Sequence, residues 1–155
     1  MNKCILIIAL PILTTLLGCD PLYGVKRSAT TPKPIRANCI EMALNRIVEI
    51  DNFEPIPIHP ETIRSKDTDP EEFRPVLQYS FKGGEVIGVV TVETNERQSS
   101  KLEMYFLRMG SRPSASTVSK TRKVFDEFEE QISKACPGEI DQLNFVENCI
   151  GIECK

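Results

Sequence analysis

The sequence predicts a small α+β domain, and three patterns support that prediction. Between residues 76 and 109, apolar residues alternate with polar ones, which is the period of β-strands. The stretches 38–50 and 116–136 instead repeat apolar residues every three or four positions, as amphipathic helices do. Four cysteines follow residue 38. The predicted order is an N-terminal helix, a proline-rich connector, a three-stranded antiparallel meander, a long C-terminal amphipathic helix and a disulfide-held tail.

The chain opens with a short apolar run from Ile5 to Leu17. A membrane-spanning helix needs about 20 apolar residues, so this run has the length of a signal-peptide core instead. It ends in Leu16-Leu17-Gly18-Cys19, which resembles the lipobox of bacterial lipoproteins. The resemblance covers about the first twenty residues. It implies that the chain is cut before Cys19, that the Cys19 sulfur carries a diacylglyceryl group, and that the new amino group carries a fatty acid such as palmitate.

Asp20 directly follows that cysteine. In lipoproteins of two-membrane envelopes, an aspartate at this place resembles the signal that retains the protein in the inner membrane. The resemblance therefore implies a lipid anchor on the periplasmic face of the inner membrane, with the bilayer as one partner. An ordinary cleaved secretory signal is the alternative, and it also implies export. The rest of the chain, beyond Cys19, resembles no family.

Residues 19–37 are interpreted as a flexible tether. They hold three prolines, a Ser-Ala-Thr-Thr tract and four cations, without the period of a helix or a strand. The cations would favour anionic lipid headgroups, although a plain soluble linker fits equally well. This interpretation divides the chain into a signal peptide (1–18), a tether (19–37) and one periplasmic α+β domain (38–155).

The first helix is predicted over residues 38–50. Asn38 stands where a helix cap is expected, and Glu41 stands three residues later, as in a capping box. One apolar stripe runs along this stretch and requires a core to face. Its members are Ile40, Ala43, Leu44, Ile47 and Val48.

Residues 51–75 contain five prolines, which exclude a helix or a central strand. Ile56 and Ile58 alternate with prolines, as in an extended or edge segment. Loops of this length inside a compact domain are often functional. Ile56 and Ile58 are therefore candidate partner-binding residues, with a passive connector as the alternative.

The meander begins with alternating apolar residues that lead to Gly83-Gly84, a pair that suits a two-residue hairpin turn. That turn predicts Phe81 opposite Val86 and Tyr79 opposite Gly88. A third strand is predicted over residues 101–109, and both helices are expected to cover the same face of the sheet. The other face would then present Tyr105, Leu107 and Met109 as an apolar patch, so Tyr105 and Leu107 are candidate partner-binding residues.

The long helix carries basic residues in its first half and acidic residues afterwards. Arg122 with Asp126 and Lys123 with Glu127 are spaced as i,i+4 ion pairs, each worth a few tenths of a kcal/mol. Asp126, Glu127 and Glu130 are candidate residues of an acidic docking patch. A solvated helix face is the alternative.

Without the signal segment, Cys39, Cys136, Cys149 and Cys154 remain beside Cys19. An even number of cysteines in an exported chain indicates two disulfides, for which three pairings exist. We prefer Cys39 with Cys136 and Cys149 with Cys154. A zinc site is the alternative, but the sequence has a single histidine and no Cys-x-x-Cys pair, so no metal or other cofactor is expected.

The sequence also restricts the function. After removal of residues 1–18 the chain has 18 basic and 22 acidic residues, a balance that argues against a nucleic-acid partner. No Walker loop, dinucleotide-binding glycine motif or serine-hydrolase elbow is present, and His59 is the only histidine base. We therefore expect a non-enzymatic protein that binds another protein, most concretely an inhibitor or immunity protein against a secreted toxin. An accessory subunit of an envelope-spanning assembly is the alternative, and a small hydrolase that uses His59 is a third hypothesis.

Overall fold

The computed structural model describes residues 20–58, 71–137, 140 and 143–153. Strands make up 41% of these residues and helices 25%, so β structure dominates the described chain. The strands are β1 (Leu22–Thr31), β2 (Asn52–Pro55), β3 (Arg74–Gly83), β4 (Val86–Thr94), β5 (Ser100–Met109) and β6 (Val146–Ile150), and the helices are α1 (Ala37–Leu44) and α2 (Ala115–Ala135).

All six described strands join one antiparallel sheet in the order β2-β3-β4-β5-β1-β6. The prediction of a three-stranded meander is therefore wrong. The three predicted strands correspond to β3, β4 and β5, which occupy adjacent places in the larger sheet. Strand β2 extends the sheet beyond β3, and β1 and β6 extend it beyond β5.

Strand β1 corrects the interpretation of residues 19–37 as a tether. Each of its residues, from Leu22 to Thr31, pairs with β5, and its middle also pairs with β6. This strand is difficult to recognise in the sequence because Arg27 interrupts the apolar alternation between Val25 and Ala29, both of which are buried. Carboxylates from two other elements neutralise Arg27, and their proximity cannot be read from the local sequence.

The β3–β4 hairpin exists, but its predicted register is wrong. Phe81 lies opposite Gly88 and Gly83 lies opposite Val86, so the turn residues are Gly84 and Glu85. Gly84 supplies the positive φ, at 58°. Gly83 is needed for a different reason: a Cβ at that position would lie 1.9 Å from the backbone oxygen of Glu49. The first glycine therefore permits a close backbone approach, and the second makes the turn.

Helix α2 agrees closely with the predicted helix at 116–136. Its N-cap is Ser114, whose side chain accepts a hydrogen bond from the backbone N–H of Thr117. Helix α1 is shorter than predicted, since it ends at Leu44, and Arg36 rather than Asn38 is its N-cap. Val48, which was placed in the apolar stripe, is exposed.

Both helices contribute to one core with the face of the sheet that we call the inner face. Phe125 and Phe128 of α2 and Ile40 and Leu44 of α1 are fully buried there. The strands supply the other side of this core, through Val25, Tyr79, Phe81, Val86, Val90, Val92, Leu102, Met104 and Phe106. The predicted disulfide between Cys39 and Cys136 is confirmed, with 5.7 Å between the Cα atoms, and it joins the start of α1 to the end of α2.

The tail forms strand β6, in which apolar side chains face away from the core and a charged side chain faces the inner side of the sheet. Val146 and Ile150 point away from the core, while Glu147 lies on the inner face and accepts ion pairs from Arg27 and Arg122. Other apolar residues of the tail, Leu143, Phe145 and Ile152, pack against the core instead. Cys149 is disulfide-bonded, and its predicted partner, Cys154, lies outside the described residues.

Candidate functional site

The sheet has a second face, which we call the outer face, on the side opposite the two helices. A concavity of about 530 Å³ lies on this face over β3, β4 and β5, and we call it the outer groove. Its lining consists of Ile56, Pro57, Ile58, Pro75, Gln78, Thr91, Glu93, Glu103 and Tyr105.

The apolar wall of the outer groove comes from the segment that follows β2. The backbone N–H of Ile56 donates to the carbonyl oxygen of Gln78 at 2.8 Å, so the extended pairing continues one residue past the strand. Side chains two residues apart in an extended chain point the same way. Ile56 and Ile58 therefore both face the outer groove, where each is half-buried.

Polar side chains form the centre of the outer groove. The side-chain amide of Gln78 donates to the Tyr105 hydroxyl at 3.0 Å and to the Thr91 hydroxyl at 3.3 Å. These bonds cross three neighbouring strands and fix the orientation of the amide. A tyrosine hydroxyl that accepts a hydrogen bond still carries its own O–H donor. The centre of the groove thus offers polar groups in fixed positions beside an apolar wall.

Charged residues form the remaining side, and they balance one another. Glu103 Oε1 lies 2.8 Å from Lys26 Nζ and 2.6 Å from Lys101 Nζ, and Lys101 also lies 3.4 Å from Glu93. Two carboxylates therefore face two ammonium groups. The pairing makes this side of the outer groove polar without giving it a strong net charge.

The same contacts shift the pKa values of the two central partners. Burial disfavours the charged form of Glu103, but Lys101 and Lys26 outweigh burial and hold its pKa below the usual glutamate value. Burial likewise opposes the charge on Lys101, and the hydrogen bond to Glu103 with the charge of Glu93 raises the pKa of that lysine. Both groups are therefore ionised at neutral pH, and neither has the pKa of a general acid or base working near pH 7.

The structure brings together three of the predicted partner-binding residues. Ile56, Ile58 and Tyr105 were selected from separate segments, and all three line the outer groove. Leu107 also lies on the outer face, beyond the groove, and is exposed as expected. Glu93, Glu103 and Thr91 also line the groove, although they are not among the predicted partner-binding residues. Strand alternation alone places Glu103 on the same face as Tyr105, and this signal could have identified it.

The acidic residues of α2 lie on the other side of the sheet, where most of them have basic partners. Asp126 lies 2.6 Å from Arg27, and Glu127 lies 3.7 Å from Lys123. Glu130 forms an i,i+4 ion pair with Lys134 at 2.5 Å. These contacts reduce the net charge that a docking patch would need.

Arg27 is the centre of this second charged cluster. Its guanidinium lies 2.8 Å from both Glu129 and Glu147 and stacks over the ring of Phe125, 5.8 Å from the ring centroid. Burial would lower the pKa of Arg27, but the hydrogen bonds to Asp126, Glu129 and Glu147 raise it. The predicted pair of Arg122 with Asp126 is replaced by Arg122 with Glu147, at 2.8 Å. The cluster fastens β1 and β6 to α2, so we interpret it as structural.

Other predicted sites lie partly outside the described residues. These are the lipidation site Cys19 and the single histidine, His59, while Asp20 is the first described residue. Across residues 20–58, 71–137, 140 and 143–153, no three His, Cys, Asp or Glu side chains are grouped as a metal site. Of the helices in that same part of the chain, none combines the length and apolarity required to cross a membrane.

Comparison with known proteins finds no family model, curated protein or solved structure that matches this chain. A function for the chain therefore has to be inferred from its own residues, above all from those of the outer face.

Proposed function

We propose that this chain is a lipid-anchored, non-enzymatic domain of the bacterial cell envelope that binds another protein through the outer groove. The observation that supports this proposal most strongly is the composition of the groove. An apolar wall of Ile56 and Ile58 stands beside an oriented amide and a tyrosine hydroxyl, on a sheet face that the described helices leave uncovered.

The chemistry of the outer groove suits a polypeptide better than a small charged substrate. Its carboxylates are already paired with Lys26 and Lys101, so a phosphate or a cation would have to displace existing ion pairs. An apolar or aromatic side chain could instead pack against the isoleucines while its backbone hydrogen-bonds to the polar centre. Protein interfaces commonly combine an apolar centre, tyrosine and oriented hydrogen-bonding groups in this way.

Neutralisation of a secreted toxin is the most concrete version of this function. The lipobox resemblance at residues 16–19 supports this version, because it implies export to the compartment that such toxins enter, and Asp20 favours the inner membrane. An inhibitor needs a rigid binding surface and no chemistry of its own. The polar centre of the groove is built on β3, β4 and β5, and hydrogen bonds between Gln78, Thr91 and Tyr105 fix the positions of these side chains.

The test is affinity capture of the lipidated protein from gently solubilised membranes, with crosslinking and mass spectrometry. Ile56→Asp places a charge on the apolar wall of the outer groove. Val146→Asp makes the same change at an exposed apolar position of the outer face on β6, away from the groove. A Cys19→Ala variant tests the requirement for the anchor.

We expect one stoichiometric partner that the wild type and Val146→Asp retain and that Ile56→Asp loses. A secreted toxin as that partner would support the inhibitor version. A set of membrane-complex subunits that disappears in Cys19→Ala would instead favour an accessory subunit of an envelope assembly. Equal capture by both aspartate variants would exclude the outer groove as the binding surface, and the absence of any partner would contradict protein binding itself.

A further inference from the structure

Five exposed apolar side chains lie across one end of the outer face, and we call them the apolar row. Met109 is 70% exposed and Ile87 is 59% exposed. A single exposed apolar side chain is common, whereas a group of them on one face marks an interaction surface. The members of the row are Ile87 on β4, Leu107 and Met109 on β5, Leu22 on β1 and Ile150 on β6.

The strand register makes the row continuous. Leu22 lies opposite Met109, and Gly24 lies opposite Leu107 on one side and Ile150 on the other. A Cβ on Gly24 would lie 2.7 Å from Leu107 Cδ2, so the leucine leans over the glycine and fills the gap between β5 and β6. From β5 across β1 to β6 the row is therefore continuous, without a polar side chain between Leu107 and Ile150. Ile87 lies on the same face of β4, two residues before Val89, which pairs with Tyr105.

The row lies at the end of the sheet where the described chain begins. The backbone N–H of Gly110 donates to the carbonyl oxygen of Pro21 at 3.0 Å, so the chain is fixed to the sheet from Pro21 onward. Cys19 precedes Pro21 by two residues. Consecutive Cα atoms are about 3.8 Å apart, so a lipid attached two residues before Pro21 would be joined to the chain close to the point where the chain is fixed to the sheet. A lipid on Cys19 would hold this end of the sheet against a membrane.

We propose that the bilayer surface is the occupant of the apolar row. This inference rests on the lipid anchor that forms part of the proposed function. Each interfacial zone of a bilayer is about 5–7 Å thick, so an anchor this close to the sheet brings Leu22 and Met109 to the depth where apolar side chains are stabilised. Arg108 and Arg112 are exposed at the same end and would reach the headgroups, whereas Asp20 carries the opposite charge. Apolar contact is therefore the main source of the expected affinity.

This arrangement replaces the loose tether with an oriented domain. Glu103 precedes Leu107 by four residues and Met109 by six on the same strand. With a rise of about 3.3 Å per residue, the centre of the outer groove lies roughly 13–20 Å from the row. A partner in the groove would be held at most that far above the bilayer surface that covers the row.

Tryptophan fluorescence provides the test, because the chain has no tryptophan of its own. Met109→Trp places a single reporter in the row, and Leu22→Trp provides a second reporter in case the first variant folds poorly. Val76→Trp is the matched control: Val76 is an exposed apolar residue on the sheet at the level of Lys101, at the opposite end of β5 from Met109. The lipidated proteins are reconstituted into vesicles of phosphatidylethanolamine and phosphatidylglycerol, with or without brominated acyl chains, and circular dichroism checks their folding.

We expect the emission of Met109→Trp and Leu22→Trp to shift to shorter wavelength on vesicles, with brominated lipid quenching it about twofold or more, because the side chains reach the headgroup and acyl boundary. The emission of Val76→Trp should keep its wavelength and intensity. If vesicles leave the emission wavelength of all three variants unchanged and brominated lipid quenches none of them, the inference is overturned. The domain would then stand away from the membrane.

Two further results separate the possible failures. Mass spectrometry of the mature N-terminus reports the acyl groups, and their absence would refute the anchor and with it this inference. If the acyl groups are present while the row reporters are not quenched, the inference alone fails. A blue shift that depends on protein concentration, without vesicles and without quenching by brominated lipid, would show that a second copy covers the row, which also overturns the inference.

Discussion

Glu103 and Arg27 are charged residues in neighbouring strands, one on each face of the sheet. Glu103 is almost fully buried under Lys26 and Lys101, and Arg27 is enclosed by α2 and β6. Arg27 is separated in sequence from its partners Asp126 and Glu147 by 99 and 120 residues. Local sequence gives no sign of such partners, so a charge in a strand is easily interpreted as a mark of a loop.

Glu103→Gln should lower the free energy of unfolding by about 2 kcal/mol at pH 7, because both lysines would lose their shared carboxylate. The pKa of Glu103 is lower in the folded protein than in the unfolded chain. Its contribution to stability is therefore present above the unfolded value of about 4.5 and disappears as the pH falls through the folded value. Urea unfolding at pH 7 and at pH 3 measures both effects, and the difference between variant and wild type should shrink at pH 3.

Glu96→Gln is the control for this prediction, because Glu96 lies exposed in the loop between β4 and β5. It should change the free energy of unfolding by less than about 0.5 kcal/mol at either pH. A difference between Glu103→Gln and the wild type that stays constant from pH 7 to pH 3 would show that the charge of Glu103 is not what the lysines stabilise.

At the scale of elements, the strength of each periodic pattern determined what could be predicted. Helix α2 was predicted to within a residue or so, because its stripe repeats over 21 residues. Strand β5 was predicted for the same reason, with period-two alternation. Strand β6 was missed because only five residues form it and its apolar side chains face outward.

The two glycines of the β3–β4 hairpin have separate roles that substitutions can distinguish. Gly84→Ala should cost about 1 kcal/mol, the usual penalty for an L-residue in the left-handed region, since no atom lies within 4 Å of the new Cβ. Gly83→Ala should cost about 3 kcal/mol, because its Cβ would overlap the backbone oxygen of Glu49 and force the segment after α1 to move. Chemical denaturation of the two variants gives both values.

Each of the two variants serves as the control for the other, because both replace a glycine with an alanine. If Gly84→Ala were the more destabilising substitution, the positive φ of Gly84 rather than the approach of Glu49 to Gly83 would be the stronger constraint on the hairpin. A near-neutral Gly83→Ala would show that the approach of Glu49 to β3 is not a close one.

For the molecule as a whole, the position of β1 determines which residues the folded domain requires. A tether could be removed without loss of the domain, whereas β1 lies between β5 and β6 and carries Val25 and Ala29 into the core. The same position explains why the outer face is wide enough to hold both the outer groove and the apolar row.

A chain that starts at Asp20 should fold, and a chain that starts at Ala37 should not. The shorter chain loses β1, and with it the contact that holds β6 and the pairing of one edge of β5. Circular dichroism and amide hydrogen exchange of the two chains test this expectation, with the chain from Asp20 as the control. Cooperative unfolding of the shorter chain would contradict it and would return residues 19–37 to the role of a tether.

Three residues of the outer groove could be predicted from the sequence, but their assembly into one groove could not. Ile56, Ile58 and Tyr105 were each selected for a local reason, since isoleucines beside prolines and an outward tyrosine are visible in the sequence. Their meeting depends on the pairing of β2 with β3 and on a polar network that spans three strands. The order in which strands lie side by side is determined only when the whole sheet is assembled.

The position of β1 between β5 and β6 also determines when the fold can be completed. A ribosome makes Leu22–Thr31 first among the strands, yet its neighbours are Ser100–Met109 and Val146–Ile150. At 5–20 residues per second, roughly ten seconds pass before the last neighbour exists. During that interval a strand with unpaired edges is liable to aggregate, and charged residues such as Lys26 and Arg27 oppose aggregation. The charges that make β1 hard to recognise in the sequence therefore protect the newly made chain while it waits for its partners.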